Sequence, residues 1–204
     1  MSRRWPTVAV VDYGSGNLRS AERALAQVGA DVTVTGDLDL ARESDGVVLP
    51  GVGAFAACMA GIRDLGADAV VHARIAKQRP VLGICVGMQV LYEEGDEHGT
   101  RTSGIGALPG RVKPLDAPVV PHMGWNTVTP PPDTALFAGV EDERFYFVHS
   151  YGVRPGGAGE TVAVHGSPFV AAVERGPLTA TQFHPEKSGE AGLALLTNWV
   201  SSLH

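Results

Sequence analysis

Pro80-Val81-Leu82-Gly83-Ile84-Cys85-Val86-Gly87-Met88-Gln89 decides how this chain folds. An apolar run leads into Cys85, and Met88-Gln89-Val90-Leu91-Tyr92-Glu93-Glu94 follows. The spacing predicts a buried strand, a sharp turn, then a helix. G-x-C-x-G is the thiol form of the nucleophile elbow, where glycines permit a strained strand-to-helix turn that exposes the nucleophile. At such a turn the backbone N–H of Val86 can face a developing oxyanion. The other cysteine, Cys58, lies between Ala56 and Ala60 and reads as a buried apolar thiol.

A hundred residues on, Thr179-Ala180-Thr181-Gln182-Phe183 runs as a short strand into His184-Pro185-Glu186. Proline biases the residue before it toward extended backbone. Residues i and i+2 of an extended segment point to one side, so His184 and Glu186 can reach the same region. Cys85, His184 and Glu186 then supply nucleophile, base and orienting acid. Standing alone, His184 would be a loop histidine and Glu186 a solvated residue before a helix.

The bulk composition fits this chemistry. At 204 residues the chain suits one domain, 1–204, with a substantial core. A formal charge of −6, with no Lys/Arg cluster, argues against a nucleic-acid partner. Two cysteines suggest a reduced, cytoplasmic compartment and no disulfide scaffold. Ser2-Arg3-Arg4 is basic, but the apolar run after it is broken by Asp12, so no signal peptide is expected. The uncharged stretch Gly46 to Ile62 carries Pro50 and several glycines, and no membrane span is expected. The histidines lack metal-ligand spacing, so neither a metal nor another cofactor is expected.

Strand and helix signals alternate through the first half. Val8 to Val11, Val32 to Val34, Gly46 to Leu49 and Val81 to Ile84 read as strands. Asn17 to Val28, Ala54 to Asp64 and Asp68 to Gln78 read as helices. This pattern predicts an α/β fold: a mostly parallel sheet with helices on both faces. From Gly104 to Val173, short strands and Gly/Pro-rich turns predict an antiparallel extension, and Ala191 to Leu203 a closing helix. Ligands in such sheets gather at the carboxyl ends of the strands. The loops Tyr13 to Asn17 and Pro50 to Phe55 fall there, and Gly51, Val52 or Gly53 could supply a second oxyanion donor. Both loops could equally be tight turns needing glycine. Gly14-x-Gly16 is no dinucleotide fingerprint, since Arg19 stands at the third position of G-x-G-x-x-G.

With these segments assembled, the chain resembles the class I (triad) glutamine amidotransferases, flavodoxin-like in fold. The elbow and the His-Pro-Glu segment carry that likeness. Pro121-His122-Met123-Gly124-Trp125-Asn126 and Pro50-Gly51-Val52-Gly53-Ala54-Phe55 narrow it to the glutaminase subunits of imidazole glycerol phosphate synthases. Asp12 to Leu18 and Tyr146 to Tyr151 extend it over nearly the whole chain. The resemblance implies that Cys85 attacks the side-chain amide of glutamine, His184 relays protons and Glu186 orients His184. The N–H of Val86 and one from the Gly51–Gly53 loop would hold the oxyanion. Gln89 and Glu97, with backbone groups of Ser150 and Tyr151, would hold the amino-acid end of the substrate. Read without the family, Gln89 is a helix residue one turn past Cys85, and Glu97 a solvated acid.

The same resemblance implies a heterodimer with a (β/α)8-barrel cyclase subunit, to which ammonia passes during histidine biosynthesis. It puts Asn17, Trp125, Tyr146 and Lys187 near that interface, with core packing as the alternative for Trp125 and Tyr146. Rival expectations are an amidotransferase subunit of another synthase, or an elbow-cysteine hydrolase acting on peptides or esters.

Overall fold

The computed structural model describes residues 4–203. Ser2 and Arg3 of the basic N-terminal segment, and His204, lie outside the described residues. In chain order the first half runs β1 (Thr7–Val11), α1 (Leu18–Gln27), β2 (Asp31–Thr35), α2 (Leu38–Glu43) and β3 (Gly46–Gly51). It continues through α3 (Phe55–Leu65), α4 (Ala67–Ala76), β4 (Val81–Cys85) and α5 (Val86–Gln89). Next come β5 (Tyr92–Glu97), β6 (Thr100–Ser103), β7 (Leu108–Pro114), β8 (His122–Thr127), β9 (Arg144–His149) and β10 (Tyr151–Gly152). The chain closes with β11 (Glu160–His165), β12 (Ser167–Arg175), β13 (Leu178–Thr181), a 3-10 turn (Pro185–Lys187) and α6 (Gly189–Ser201).

Seven strands form the main sheet in the order β11-β12-β13-β4-β3-β1-β2. From β13 to β2 all neighbours pair in parallel, and β12 and β11 add an antiparallel edge. β3 and β4 are buried along their whole length, as central strands covered on both faces must be. Among the described residues no helix is long and apolar enough to cross a membrane.

Three differences from the expected pattern have clear causes. The elbow helix is a single turn and does not run on to Glu94. Val90, Leu91 and Tyr92 are buried on every side, leaving no polar face for a helix. Their carbonyls instead accept the N–H groups of Ile105, Leu108 and Gly106 at 2.7, 2.9 and 3.1 Å. The extension is also not purely antiparallel. β5 pairs with β7 in parallel and with β6 antiparallel, in a separate four-stranded sheet, while β8 and β9 form a two-stranded ribbon. Third, α2 is a helix the periodicity did not indicate. Asp37 caps it by accepting the N–H groups of Asp39 and Leu40 at 2.9 and 3.2 Å.

One buried cation ties the amino-terminal edge of this sheet together. Arg74 of α4 is only 1% exposed, and its guanidinium donates to backbone carbonyls alone. They are Ala41 (3.0 Å), Ser44 and Asp45 (2.9 Å each) and Pro80 (2.9 Å), with Arg42 at 3.2 Å. It thus joins the end of α2 to the chain just before β3 and β4. Burial pushes its pKa down to about 10, so it remains charged at neutral pH. Arg74→Met removes all of these hydrogen bonds. The Ala41, Ser44 and Pro80 carbonyls keep Ser44 Oγ, Arg79 and the Val47 N–H as donors, and each acceptor left unsatisfied costs about 1–3 kcal/mol. We expect urea denaturation to show a loss of at least about 3 kcal/mol. Arg74→Lys should recover only part of it, because an ammonium cannot span the same fork of acceptors.

Candidate active site

β4 and β13 are neighbours in register, with Gly83 opposite Ala180 and Ile84 opposite Thr181. The segments leaving their carboxyl ends therefore bring Cys85 and His184 together. Cys85 sits at φ 57°, ψ −116°, a region that non-glycine residues occupy only under constraint. Two glycines impose it. A Cβ on Gly87 would lie 1.8 Å from the Leu49 carbonyl oxygen, and one on Gly83 would lie 2.8 Å from the Gly87 oxygen. The backbone of the turn packs directly on β3 and β4, which forces Cys85 into the cavity beyond the sheet.

His184 is extended at φ −101°, ψ 95°, and Pro185 starts the 3-10 turn that carries Glu186. Glu186 thus returns to the histidine from a turn and not from a continued strand. Its Oε1 lies 2.7 Å from His184 Nδ1, and both side chains are nearly inaccessible. Asn17 Nδ2 donates to the same oxygen at 3.0 Å, so Asn17, expected at a partner face, reaches inward to the acid. The histidine backbone is fixed as well. Its N–H donates to the Tyr146 carbonyl (2.9 Å), and its carbonyl accepts Ser188 Oγ (2.7 Å), which in turn accepts the Tyr146 N–H (3.0 Å). Burial opposes charge on His184. Hydrogen bonds and charges of Cys85 and Glu186 on its two sides outweigh that and push its pKa up to about 9.

Val86 opens α5 and lines the cavity with Cys85. The Pro50–Gly53 segment is held by the loop after β1. Ser15 Oγ accepts the Val52 N–H at 3.0 Å, Tyr13 donates its hydroxyl to the Pro50 carbonyl, and Cys58 Sγ donates to the Val52 carbonyl at 3.4 Å. The Val52 N–H is therefore engaged with Ser15. Cys58, read as an inert buried thiol, holds the other side of the same residue. Gly51 and Gly53 differ in their needs. A Cβ on Gly51 would meet the Gly87 nitrogen at 2.4 Å, whereas Gly53 has open space around it and a φ of +87°.

The cavity over Cys85 and His184 has a volume of about 530 Å³ and includes Val52, Gly53, Gln89, Glu97, Ser150, Tyr151 and Lys187 in its wall. Gln89 Nε2 donates to the Tyr151 carbonyl and to Gln182 Oε1, both at 2.9 Å. Glu97 accepts the Phe55 N–H (2.8 Å) at the start of α3, which places a carboxylate in this wall. Gln182 itself lies two residues before His184, the same spacing that links His184 to Glu186. Period two would place it on the side of His184, but a glutamine in a strand carries no chemistry until its partners are known. His98, edge-on to Tyr151 at 5.9 Å, was equally silent in the sequence. On β8, Trp125 is 51% exposed and packs edge-on to Tyr146 at 6.1 Å; Met123, two residues before it, is exposed too, as are Val119 and Val120 in the segment leading into β8. Trp125 is thus not a core residue. Among the described residues no group of histidine, cysteine and acidic side chains is arranged to hold a metal.

The arrangement fits acyl transfer: a thiol, a base held by an acid, and N–H groups beside them. The family model for "Glutamine amidotransferase class-I" matches residues 9–202. The chain is 59% identical to the imidazole glycerol phosphate synthase subunit HisH of Thermobifida fusca, covering 97% of this chain and 99% of that protein. It is 56% identical to the HisH subunit of Streptomyces avermitilis, covering 96% of each. Among solved structures, a glutamine amidotransferase superposes with a TM-score of 0.74 at 19% identity, over 95% of this chain and 98% of that one. PurLQS from Thermotoga maritima gives 0.72 at 20% identity, over 98% and 100%. At these identities the structures speak for the fold alone.

A folded-state pKa above the ordinary 6.5 means that protonation of His184 stabilises the native state. This stabilisation is complete below pH 6.5 and is lost as the pH rises through about 9. Glu186→Gln removes one source of the shift. The stability gap between wild type and Glu186→Gln, measured by chemical denaturation, should be widest below pH 6.5 and shrink toward and beyond pH 9.

Proposed function

The chain belongs to the class-I glutamine amidotransferase family, and from that premise we propose that it is the glutaminase subunit of an imidazole glycerol phosphate synthase, acting as one domain. The observation that carries the chemistry is the convergence of Cys85, His184 and Glu186 at the carboxyl ends of two adjacent strands. The Cys85 sulfur attacks the carboxamide carbon of glutamine while its proton is held by His184, whose raised pKa keeps the ring protonated at neutral pH. The C–N bond of the tetrahedral adduct breaks as His184 returns that proton to the departing nitrogen, giving ammonia and a thioester. Water, deprotonated by His184, then attacks the thioester and releases glutamate and the Cys85 thiol. Glu186, itself held by Asn17, keeps His184 Nδ1–H engaged so that Nε2 faces the thiol.

The Val86 N–H is one donor for the oxyanion. The second is the Val52 N–H, once it leaves Ser15. A protein that idles until its ammonia can be used has reason to keep that donor turned away, and the Gly51-Val52-Gly53 segment can rotate a peptide at low steric cost. Gln89 and Glu97 face the α-ammonium end of the substrate, with backbone groups of Ser150 and Tyr151 beside them. Ammonia passes to a (β/α)8-barrel cyclase subunit in the cytoplasm. Exposed Met123 and Trp125 on β8, with Trp125 packed against Tyr146, support docking on that side, and exposed Val119 and Val120 lie in the segment leading into β8.

Glutamate release from glutamine tests this function, measured for the chain alone and with the barrel cyclase and its ribulosyl substrate. Release should be slow alone, rise strongly in the full mixture and vanish in Cys85→Ala. Fast release that ignores the partner would assign the chain to a different amidotransferase. Ser15→Ala frees the Val52 N–H at a cost to the resting state of about 1 kcal/mol, so glutamate release without partner should rise about fivefold. Partner-stimulated release should change little.

A further inference from the structure

His122 of β8 and His149 of β9 are buried outside the triad, and their four ring nitrogens form a chain with only one consistent placement of protons. His149 Nδ1 lies 2.9 Å from the Tyr151 carbonyl oxygen, which can only accept, so Nδ1 carries the hydrogen. The acceptor left on that ring, Nε2, lies 2.9 Å from His122 Nδ1, which must donate. His122 Nε2 is then an acceptor, 3.3 Å from Asn126 Nδ2. The far end gives the same answer independently. Asn126 Nδ2 donates to the Val164 carbonyl (3.0 Å), and its Oδ1 accepts the Thr127 N–H (2.9 Å), so the amide cannot be turned over. A proton added to either ring would set N–H against N–H. Burial pushes both rings below the ordinary histidine range, His122 down to about 4 and His149 down to about 3. Packing fixes the rings too: His122 is sandwiched between Phe147 at 4.8 Å and His165 at 4.2 Å.

The chain of donors ends at the glutamine cavity. The Tyr151 carbonyl that accepts His149 Nδ1–H also accepts Gln89 Nε2, and the second hydrogen of Gln89 Nε2 goes to Gln182 Oε1. With both amide hydrogens committed, Gln89 has only Oε1 to offer the cavity, an acceptor in the wall that also holds Glu97. We propose that His122 and His149 are positioning residues for the substrate: as a neutral, one-directional relay from Asn126 to Tyr151, they fix the peptide that holds Gln89, so that Gln89 Oε1 receives the α-ammonium of glutamine. His149 itself lies in the cavity wall, and both histidines act through the Tyr151 carbonyl and Gln89. This proposal deepens the glutaminase function above and rests on it.

Two measurements test it on the complex with the barrel cyclase. Nitrogen-15 NMR of labelled wild-type subunit should report His122 and His149 as neutral with the hydrogen on Nδ1, the less common tautomer. An Nε2–H tautomer or a charged ring at neutral pH in either residue would overturn the relay. In the second, glutamine is compared with glutaramate, which keeps the carboxamide but lacks the α-ammonium. His149→Leu should raise KM for glutamine about tenfold, with kcat moving far less, and should narrow the preference for glutamine over glutaramate by a similar factor. His149→Asn, whose amide nitrogen can stand where Nδ1 stood, should restore much of that preference. Equal losses on both substrates, or no rescue by asparagine, would show a merely structural role and sink the positioning claim. If wild-type complex releases no glutamate at all, the glutaminase function fails, and the NMR result still decides whether the relay exists.

Discussion

The site rests on a contact of backbone against backbone. Gly87 lies so near the Leu49 carbonyl, and Gly51 so near the Gly87 nitrogen, that neither position has room for a side chain. This contact seats the first turn of α5 directly on β3. It bends the chain at Cys85 into a conformation that a free cysteine would avoid, and it sets the cavity's depth. Burial of the flanking apolar strands stabilises the contact, since β3 and β4 contribute Val47, Val48, Leu49, Val81 and Leu82 to the core, all fully buried. The strain at one residue is small against that burial.

From this seat outward the site is assembled by hydrogen bonds that cross between elements. His184 is fixed through its ring by Glu186 and Asn17, and through its backbone by Tyr146 and Ser188. The Pro50–Gly53 segment is fixed by Tyr13, Ser15 and Cys58. The loop after β1 thus supports both the acid, through Asn17, and the segment that carries the second N–H donor, through Ser15. β1 and β3 diverge in their connections at this point of the sheet, where parallel α/β folds open a crevice. The two glycine-rich loops flank it.

Local pattern in the sequence went far where the chemistry is local. The strand before Cys85, the glycines around it and the His-Pro-Glu spacing each concern a few consecutive residues, and they suffice for a parallel α/β sheet and for the approach of His184 to Glu186. Contacts between distant residues left no such trace. Asn17 meets Glu186 across 169 positions, and Ser15 meets Val52 across 37. Both depend on strand order, which periodicity does not encode. The length of the elbow helix was illegible for a related reason. Val90 to Tyr92 suit either helix or strand until β7 and the turn before it present N–H groups to them. His122 and His149 gave no signal, because a histidine's proton placement is decided by neighbours and not by its own segment.

Arg74 lies at the opposite end of the sheet from the cavity, gathering carbonyls at the amino-terminal starts of β3 and β4. The molecule is therefore divided along its strands into an end that sustains the fold and an end that performs chemistry. Lesions at the two ends belong to different genetic classes. Damage around Arg74 gives a temperature-sensitive allele, with little protein in the cell but ordinary specific activity in what survives, and extra gene copies or a chaperone can compensate it. Loss of the Cys85 thiol alone, with the glycines around it kept, gives abundant, well-folded protein that lacks the chemistry.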